Sequence, residues 1–316
     1  METEVAVIIV TYNALRRNWI DRCLDSIRQS TVAAVPVVVD NASTDGTVAH
    51  VQAHYPEAHV IANEENRGFG QANNQGLKHA YLNGAGHFFL LNQDARIEPD
   101  TLEHLLAVQK EHGIGVVSPV HLNGVGDALD AGFYEYVAKD NSGRSFFSSF
   151  ICDNVLQAEF YPVRTINAAA WLIDRTVIET VGGFDPLFFH YGEDDNYVNR
   201  LHFHKQVLAI VPKAIMYHDR ELRHGNEKLY RQHQVLNKLR MSYSDINLSA
   251  LSFTKYRIQM VIKHMLTLFK SLLTLHGTDA WFVFRDYITF LWQLPKMLRH
   301  NTVNRKQSPA WLQLHG

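Results

Sequence analysis

The amino-acid sequence predicts an α/β fold with a mostly parallel sheet flanked by helices, followed by a C-terminal helical extension. Apolar runs of strand length alternate with segments of helical periodicity through much of the first 250 residues, a pattern typical of βαβ units. Polar clusters follow several of these runs. From residue 251 the pattern changes to amphipathic stretches rich in basic residues.

Five short apolar runs predict the strands of the sheet. An uninterrupted apolar run is typical of a strand that is buried on both faces, as in a parallel sheet. The runs are Val5–Val10, Val35–Val39, His59–Ala62, His87–Leu91 and Ile114–Val117. Helices are predicted at Trp19–Ile27, from Ser43, at Gly68–Leu82, after Pro99, near Arg175–Val181 and from Glu193. Residues 120–165 have weak periodicity and are predicted to form a loop region.

The composition is that of a globular protein, and its low cysteine content fits a reducing compartment. The chain has 316 residues, 46% hydrophobic and 20% charged, so it can bury a sizeable core and is neither disordered nor fibrous. Its two cysteines do not make a disulfide framework. The acidic segment Met1–Glu4 lacks the basic and apolar regions of a signal peptide, so a cytoplasmic location is expected.

The change of pattern predicts two regions, a domain over residues 1–250 and an extension over 251–316. The extension carries nine Lys or Arg and two acidic residues. Charged residues interrupt its apolar stretches before the ~20 residues that span a bilayer. A peripheral contact with the inner face of the cytoplasmic membrane, a homodimer contact and packing on the first domain all fit such helices.

Polar side chains follow three predicted strands, at residues 11–13, 40–41 and 92–94. Ligands bind beyond the carboxyl ends of the strands in sheets of this kind, so these clusters predict a binding edge. Asp40 is expected to contact the ligand, because a carboxylate there can accept hydrogen bonds from a base or a ribose. The segment Ser43–Asp45 is expected to cap the next helix.

The segment Asn66–Gly76 is rich in glycine and asparagine and enters a predicted helix. Its glycines would let the backbone approach a phosphate, the helix N-terminus favours anions, and Arg67 adds a hydrogen-bond donor. Turn chemistry alone also explains Gly68 and Gly70. Their spacing does not match the dinucleotide-binding fingerprint.

Asp94 ends the apolar run of the fourth strand, after Asn92 and Gln93. Mg²⁺ or Mn²⁺ bound to a diphosphate needs one or two protein carboxylates, because phosphate oxygens and waters complete the coordination. Asp94 therefore predicts a metal–diphosphate site. A solvated carboxylate ahead of the next helix is the structural alternative.

Three consecutive acids, Glu193–Asp195, open a predicted helix just after the aromatic segment Phe188–Tyr191. Acids at a helix N-terminus are favoured by the helix dipole, so a purely structural role exists. Three acids beside aromatic residues are more than that role needs. They favour a general base in a semi-enclosed site.

Six segments, taken in order, resemble the inverting glycosyltransferase family 2, which has the GT-A fold, and most of all its rhamnosyltransferase-like bacterial branch. The resemblance covers about residues 4–225. The segments are Val10–Asn13, Asp40–Gly46, Asn66–Gly76, Asn92–Asp94, Gly182–Asp185 and Glu193–Asp195. Each segment alone is modest, whereas the ordered set is specific.

The resemblance implies a nucleotide-binding part over about residues 1–120 and an acceptor and catalytic part over about 120–250. It implies Asp194 as the catalytic base, supported by Glu193 and Asp195, and Mg²⁺ or Mn²⁺ held by Asp94 and His218. The nucleotide sugar would be bound by Thr11, Tyr12, Asn13, Asp40, Asn41, Arg67, Gly68, Asn73, Asn92 and Gln93.

The implied reaction is transfer of a sugar from a nucleoside diphosphate to a saccharide or polyprenyl-linked saccharide, with inversion, in bacterial surface polysaccharide synthesis. In this branch the donor would be dTDP-rhamnose. Trp171 lies in a segment where family members often carry glycine, so it is expected to shape the donor or acceptor pocket. No nucleic-acid partner is expected.

Two other functions compete with this interpretation. A nucleotidyltransferase usually has a glycine-rich, basic phosphate loop after its first strand, whereas this chain has Thr11–Ala14. A catalytically silent carbohydrate- or membrane-binding module would not need Asp94 and Asp194. Both alternatives are therefore disfavoured.

Overall fold

The computed structural model describes residues 5–139, 141–153, 158–220, 227–248 and 277–314, together with positions 259, 262, 266, 269 and 273. The strands of this part of the chain form one sheet. They are β1 (Val5–Thr11), β2 (Ala34–Asp40), β3 (His59–Ala62), β4 (His87–Leu91), β5 (Ala95–Ile97), β6 (Val116–Asn123), β7 (Tyr161–Pro162), β8 (Ala170–Asp174) and β9 (Leu208–His218).

The helices flank the sheet or follow it in the chain. They are α1 (Trp19–Arg28), α2 (Thr47–His54), α3 (Phe69–Leu82), α4 (Thr101–His112), α5 (Ala131–Val137), α6 (Arg144–Asp153), α7 (Arg175–Thr180), α8 (Glu193–Phe203), α9 (Glu227–Ser244) and α10 (Gly277–Asn304). The predicted helix from Gly68 begins one residue later, because Gly68 itself has a positive φ of 81°.

The strand order is β3-β2-β1-β4-β8-β6-β9-β5, with β7 paired to β9. Strands β1 to β4 run parallel, with β2 and β4 on either side of β1. Strand β8 runs antiparallel between β4 and β6. The carboxyl ends of β1, β2 and β4 therefore lie at one edge, where the sequence places its polar clusters.

The sheet is buried on both faces. In β1, Ala6 and Ile8 belong to one apolar cluster, while Val5, Val7 and Ile9 belong to another. Alternate residues of a strand point to opposite faces, so a strand covered on both sides is apolar throughout. The α/β fold with a mostly parallel sheet, predicted from these runs, is confirmed.

Residues 120–165 contain more regular structure than the predicted loop region. Strand β6 extends to Asn123, and α5 and α6 follow it. Aromatic contacts organise this part: the ring of Phe146 lies 6.2 Å from that of Phe133 and 5.6 Å from that of Tyr161. Short helices held by a few aromatic contacts leave little periodicity in the sequence, which explains why they were not predicted.

The chain forms two compact units, Met1–Glu221 with Gln307–Gly316, and Leu222–Lys306. The boundary predicted at residue 250 falls inside the second unit, because α9 packs against α10. The ring of Tyr243 lies 4.7 Å from that of Phe290, and Asn301 Nδ2 donates to the carbonyl oxygen of Tyr243 at 2.8 Å.

The end of the predicted extension belongs to the first unit. The backbone N–H of Gly183 donates to the carbonyl oxygen of Ala310 at 2.8 Å, and Leu312 is buried in the core of that unit. Most of the stripe predicted between 258 and 272 lies outside the described residues. Within the described part, no helix has both the length and the apolar content to cross a membrane.

Candidate active site

The ends of β1 and β2 are joined through Asp40. Its buried carboxylate accepts hydrogen bonds from Thr11 Oγ1 at 2.9 Å and from the backbone N–H of Ser43 at 2.8 Å, and Ser43 Oγ donates to it as well. Asp40, predicted to contact the nucleoside, is therefore fixed in one orientation by protein donors before any ligand binds.

In the segment Ser43–Asp45, predicted to cap α2, Asp45 makes a capping contact, because its Oδ1 accepts from the N–H of Thr47, the first residue of the helix, at 3.1 Å. Ser43 Oγ instead accepts from the backbone N–H of Asn13 at 2.8 Å, and Asn13 Oδ1 accepts from the N–H of Thr44 at 2.9 Å. Asp45 accepts from Leu15 N–H at 3.1 Å. These bonds tie the turn after β2 to the turn after β1, and they stabilise the positive φ of Asn13.

Asn41 organises the loop that leads into α3. Its side chain donates to the carbonyl oxygen of Gly68 at 3.3 Å and accepts from the backbone N–H of Arg67 at 3.2 Å. The Arg67 side chain is exposed. At Gly68 an added Cβ would overlap the backbone carbonyl of Phe189, so packing against that segment accounts for this glycine.

Two neighbouring asparagines of α3 have different roles. Asn73, predicted to line the nucleotide pocket, is buried and donates to the Phe69 carbonyl within its own helix at 3.0 Å. Asn74 makes two hydrogen bonds to the backbone of Phe184, at 2.8 Å and 2.7 Å. Sequence reasoning missed Asn74, since nothing local distinguishes it from Asn73.

The turn Gly182–Asp185 is clamped from two sides. Asn74 holds Phe184, and the fully buried guanidinium of Arg200 donates to the carbonyl oxygens of Gly183 and Val181. Burial lowers the pKa of Arg200. The motif has a clear structural function, because it anchors the chain a few residues before the acidic start of α8.

Asp94, Asn92 and His218 converge at the end of β4. His218 Nε2 lies 3.2 Å from Asp94 Oδ1 and 3.3 Å from Asn92 Nδ2. The side chain of Gln93 accepts from Tyr12 N–H at 2.7 Å and donates to its carbonyl oxygen at 3.3 Å, which ties this turn to the end of β1. The ring of Tyr12 is about half exposed beside them.

Asp130 and Arg220 lie behind His218, and neither was predicted from the sequence. Asp130 Oδ2 lies 3.6 Å from His218 Nδ1 and accepts from Arg220 Nε at 2.7 Å. Burial opposes ionisation of Asp130, but His218 and Arg220 outweigh it and lower its pKa. Burial lowers the pKa of His218, but Asp130 and Asp94 outweigh burial, so the pKa of His218 is raised.

A divalent metal ion fits the donors at this end of the site. Asp94 Oδ1 and His218 Nε2 are close enough to share one ion, and the buried Asn92 Oδ1 has no hydrogen-bond partner among the described residues. Carboxylate, amide oxygen and imidazole suit Mg²⁺ or Mn²⁺ when a diphosphate completes the coordination. His218 facing Asp130 with its other nitrogen is the usual arrangement of a metal-binding histidine.

Glu193 and Asp194 begin α8 in a buried setting. Asp194 Oδ2 accepts from the backbone N–H of Ala168 at 3.1 Å, whereas Asp194 Oδ1 and Glu193 Oε2 are buried without a hydrogen-bond partner in the described structure. Burial raises the pKa of both carboxyl groups. Repulsion from Asp194 and Asp195 adds to the effect at Glu193, and repulsion from Asp195 adds to it at Asp194. A carboxylate poised in this way is a suitable proton acceptor near neutral pH.

Asp195, predicted to support the base, faces a different partner. Its carboxylate accepts from Lys139 Nζ at 2.9 Å and from the Tyr136 hydroxyl at 3.4 Å. Burial, together with the carboxylates of Glu193 to Asp195, raises the pKa of Tyr136. Asp195 thus ties α8 to the segment after α5.

Trp171 is a core residue in this structure. Its side chain is fully buried on β8 and its ring lies 5.8 Å from that of Tyr197. The expectation that Trp171 lines a donor or acceptor pocket therefore needs correction. An apolar side chain at a central strand position is placed by packing, and the residue type alone did not reveal this.

One short backbone segment connects the two ends of the site. The N–H of Ala168 donates to Asp194, and the carbonyl of the next residue, Ala169, accepts from the N–H of Asn92 at 3.0 Å. Through this segment the metal-binding group at β4 and the carboxylate at α8 occupy one region of the molecule. The structure therefore places the turn after β4 and the start of α8 on either side of this segment.

The chain is similar to known sugar transferases in sequence. Residues 6–182 match the sequence model of the family described as glycosyl transferase family 2. An N-acetylglucosaminyl-diphospho-decaprenol L-rhamnosyltransferase of Mycobacterium tuberculosis is 25% identical over 237 residues, which are 69% of this chain and 76% of the relative. The resemblance to a rhamnosyltransferase-like branch is confirmed.

Solved structures show the same fold. The S. aureus protein TarS (residues 1–349, in complex with UDP-GlcNAc) has a TM-score of 0.59 at 16% identity, covering 96% of this chain and 88% of the other. The mannosyltransferase PcManGT from Pyrobaculum calidifontis, in complex with GDP-Man and Mn²⁺, has a TM-score of 0.56 at 18% identity, covering 99% and 86%. The fold is GT-A, and the chain belongs to glycosyl transferase family 2.

Proposed function

We propose that this family 2 glycosyltransferase uses a divalent metal and transfers a sugar, with inversion, from a nucleoside diphosphate to the hydroxyl of a saccharide acceptor. The observation that carries the proposal is the pairing of two groups across one backbone segment. Asp94 with His218 forms a metal-binding end, and Asp194 forms a basic end with a raised pKa. An inverting transfer needs these two functions and no enzyme nucleophile.

The donor end would bind the leaving nucleoside diphosphate. Bound Mg²⁺ or Mn²⁺ supplies positive charge that stabilises the diphosphate as it departs. Asp94, His218 and Asn92 would hold the ion. Thr11, Asp40 and Asn41 would form a preformed floor for the nucleoside, beside the exposed side chains of Tyr12 and Arg67. Asn13 and Gln93 hold the turn after β1, and Gly68 and Asn73 lie at the start of α3.

The acceptor end would activate the incoming hydroxyl. Asp194 Oδ1, which has no hydrogen-bond partner among the described residues, would take the proton while the acceptor oxygen attacks the anomeric carbon from the face opposite the diphosphate. The Ala168 N–H fixes Asp194 Oδ2 and hence the direction of Oδ1. Burial raises the pKa of Asp194 and repulsion from Asp195 adds to it, while Asp195 also anchors the helix through Lys139.

The finer assignment concerns the sugar and the acceptor. We propose dTDP-rhamnose as donor and a polyprenyl-linked saccharide as acceptor, in bacterial surface polysaccharide synthesis at the cytoplasmic face of the membrane. The support is the name of the M. tuberculosis relative, an L-rhamnosyltransferase acting on a diphospho-decaprenol sugar. Both cysteines are free thiols, which suits a reducing compartment.

The experiment compares two variants in donor binding and in transfer. Asp94→Ala should weaken donor binding and its dependence on Mn²⁺, because the ion loses a carboxylate. Asp194→Ala should bind donor within a few-fold of wild type and lose transfer by about 10²–10⁴-fold, the usual contribution of a general base. Binding is measured by calorimetry with dTDP-rhamnose, UDP-GlcNAc and GDP-mannose, and transfer by release of nucleoside diphosphate with acceptor present.

Asp127→Ala is the control, since Asp127 is an exposed carboxylate in a surface turn. It should leave both measurements unchanged. If Asp194→Ala abolishes donor binding while Asp94→Ala abolishes only transfer, the assignment of the two ends is reversed. Metal-independent transfer would contradict the role given to Asp94 and His218.

A further inference from the structure

One face of α10 is apolar and exposed. Trp281, Phe284, Ile288 and Leu291 recur at intervals of three and four residues, and Trp292 follows Ile288 by four, which is the spacing of a single helix face. All five side chains are exposed, and Trp292 is 82% exposed. We call these five residues the aromatic face.

The opposite face of α10 is already covered by α9. Phe290 packs on Tyr243, the carboxylate of Asp286 accepts from the backbone N–H of Leu236 at 3.4 Å, and Met297 is fully buried. The helix therefore has apolar residues on two faces, of which α9 covers one. Stability of the helix pair does not require the aromatic face.

A second set of exposed apolar residues precedes α10. Ile262, Leu266, Phe269 and Leu273 are helical, lie four, three and four residues apart, and are all more than half exposed. Contiguous apolar surface of this kind is rare on a protein that is surrounded by water on all sides. The spacing again selects one face of a helix rather than scattered positions.

Basic side chains follow the aromatic face. Lys296, Arg299, Arg305 and Lys306 are exposed, and they come within 14 residues of Trp292. Two acids follow Gly277 in the sequence, Asp279 and Asp286. Asp286 is buried and paired with the neighbouring Arg285. The charged side chains that the structure describes as exposed after Trp292 are therefore all positive.

We propose that the aromatic face and the basic residues after it form a docking surface for an anionic lipid bilayer, with α10 lying in the plane of the interface. Tryptophan and other large apolar side chains enter the boundary between headgroups and acyl chains, and exposed Lys and Arg attract anionic headgroups. An anionic bilayer complements the positive charge of this surface, whereas a second copy of the chain offers the same positive charge.

The docking surface deepens the proposed function. A sugar acceptor attached to a polyprenyl chain stays at the membrane, and an enzyme bound to the same surface meets it at high local concentration. This use of the surface rests on the proposed lipid-linked acceptor. Binding of the protein to vesicles does not depend on the acceptor, so the docking surface and the proposed function can fail separately.

The test measures sedimentation of the full-length protein with vesicles of phosphatidylcholine, with or without about one third phosphatidylglycerol. The wild-type protein should bind the anionic vesicles and bind neutral ones far less. Leu291→Ser should lower the partition coefficient on the order of tenfold, the effect expected for a lost leucine insertion. Lys296→Glu should lower it on the order of tenfold as well, since one charge is removed and another added.

The chain offers a matched control for each variant. Leu82 is 60% exposed and Leu291 is 58% exposed, so Leu82→Ser tests the same change at another site. Lys213 is exposed on β9 and serves for the charge reversal as Lys213→Glu. Both controls should bind vesicles like wild type. All four variants should keep wild-type transfer to a water-soluble acceptor.

Three outcomes would overturn the docking surface. Wild-type protein could fail to sediment with anionic vesicles, or the two α10 variants could bind like their controls. Alternatively, light scattering could show a dimer that Leu291→Ser converts to monomer without vesicle binding, in which case a second copy covers the aromatic face. If the wild-type protein transfers no sugar to the soluble acceptor, the proposed function is contradicted instead.

Discussion

At the scale of single residues, the site is made of side chains that protein donors fix in advance. Asp40 is held by Thr11 and Ser43, and Asp194 is held by the backbone of Ala168. Each group keeps one orientation without a ligand, so less ordering is needed when substrate binds. The cost appears at Asp194, whose ionisation is opposed by burial.

Asp194→Asn should therefore stabilise the protein while abolishing transfer. A carboxyl group whose pKa is raised on folding binds its proton more tightly in the folded state, so stability falls as pH rises from the unfolded pKa of about 3.9 towards the folded value. Asparagine does not ionise, so the variant does not lose stability as the pH rises. Its melting temperature should exceed that of wild type by roughly 2–4 °C at neutral pH for a gain of about 1 kcal/mol.

The difference between the two proteins should shrink as the pH is lowered to about 4, where Asp194 is protonated in the folded wild-type protein and about half protonated in the unfolded chain. Thermal unfolding across this pH range measures it. Glu135→Gln, at an exposed carboxylate on α5, should show no such trend. A variant less stable than wild type at neutral pH would mean that ionised Asp194 makes a favourable contact.

Asp130→Asn should weaken metal binding without unfolding α5. Asp130 is the N-cap of α5, where its Oδ1 accepts from Phe133 N–H at 2.9 Å, and asparagine caps about as well as aspartate. The substitution removes the negative charge that faces His218 Nδ1. Loss of such a partner typically costs 10–100-fold in metal affinity, which titration of Mn²⁺ in the presence of nucleotide would measure.

Asp174→Asn is a matched control, because Asp174 caps α7 and lies 3.9 Å from the histidine His87. It changes an N-cap aspartate beside a histidine at another place in the fold. Equal Mn²⁺ affinity in Asp130→Asn and wild type would show that Asp130 does not position His218.

At the scale of elements, close crossings of the chain set the shape of the site. Gly68 passes the Phe189 backbone, and Gly76 of α3 packs against Ile8 of β1 so closely that a Cβ would overlap it. Asn74 and Arg200 fix the turn before α8. These contacts connect α3, which borders the predicted nucleotide pocket, to the helix that carries Asp194.

Gly68→Ala should destabilise the protein more than Gly84→Ala does. Both glycines have a positive φ, 81° and 85°, so alanine strains the backbone at each position, and Gly68 combines its φ with a ψ of 163°, a conformation essentially confined to glycine. Only at Gly68 would the added Cβ also meet the Phe189 carbonyl, whereas at Gly84 nothing lies within 4 Å. The expected excess is on the order of 1–3 kcal/mol.

Chemical denaturation of both variants measures this difference, and donor binding should weaken in Gly68→Ala alone. Equal destabilisation of the two variants would indicate that the loop at 189 moves aside at little cost. Donor binding in Gly84→Ala serves as the reference for a glycine variant away from the site.

At the scale of the whole molecule, the sequence predicts what local pattern encodes and misses what distant contacts decide. Strands β1 to β4, the start of β6, the α/β class and the edge at residues 11–13, 40–41 and 92–94 follow from apolar runs and the residues after them. Strands β5, β7, β8 and β9 were not among the predicted runs. Asp130 was missed because it lies 88 residues before His218, and only the folded sheet brings them together. The buried position of Trp171 is a tertiary fact of the same kind.

The division of the chain shows the same limit. A change of composition at residue 251 predicted the boundary, yet the second compact unit begins at Leu222 because α9 pairs with α10. Composition reports what a surface is made of, whereas a boundary depends on which helices share a core. The return of residues 307–314 to the first unit leaves no compositional signal, since it depends on Leu312 and on backbone hydrogen bonds.

The peptide link between Ala168 and Ala169 has a consequence for redesign of this enzyme. Its two residues bind Asp194 and Asn92, so under the proposed mechanism they set the distance between the proton acceptor and the metal–diphosphate end. Changing sugar preference by altering the loops around β1 and β2 leaves that spacing intact. Lengthening or shortening the chain here would change the distance between the groups that take part in bond breaking and proton removal. Libraries for new donors should therefore keep the length of this segment constant.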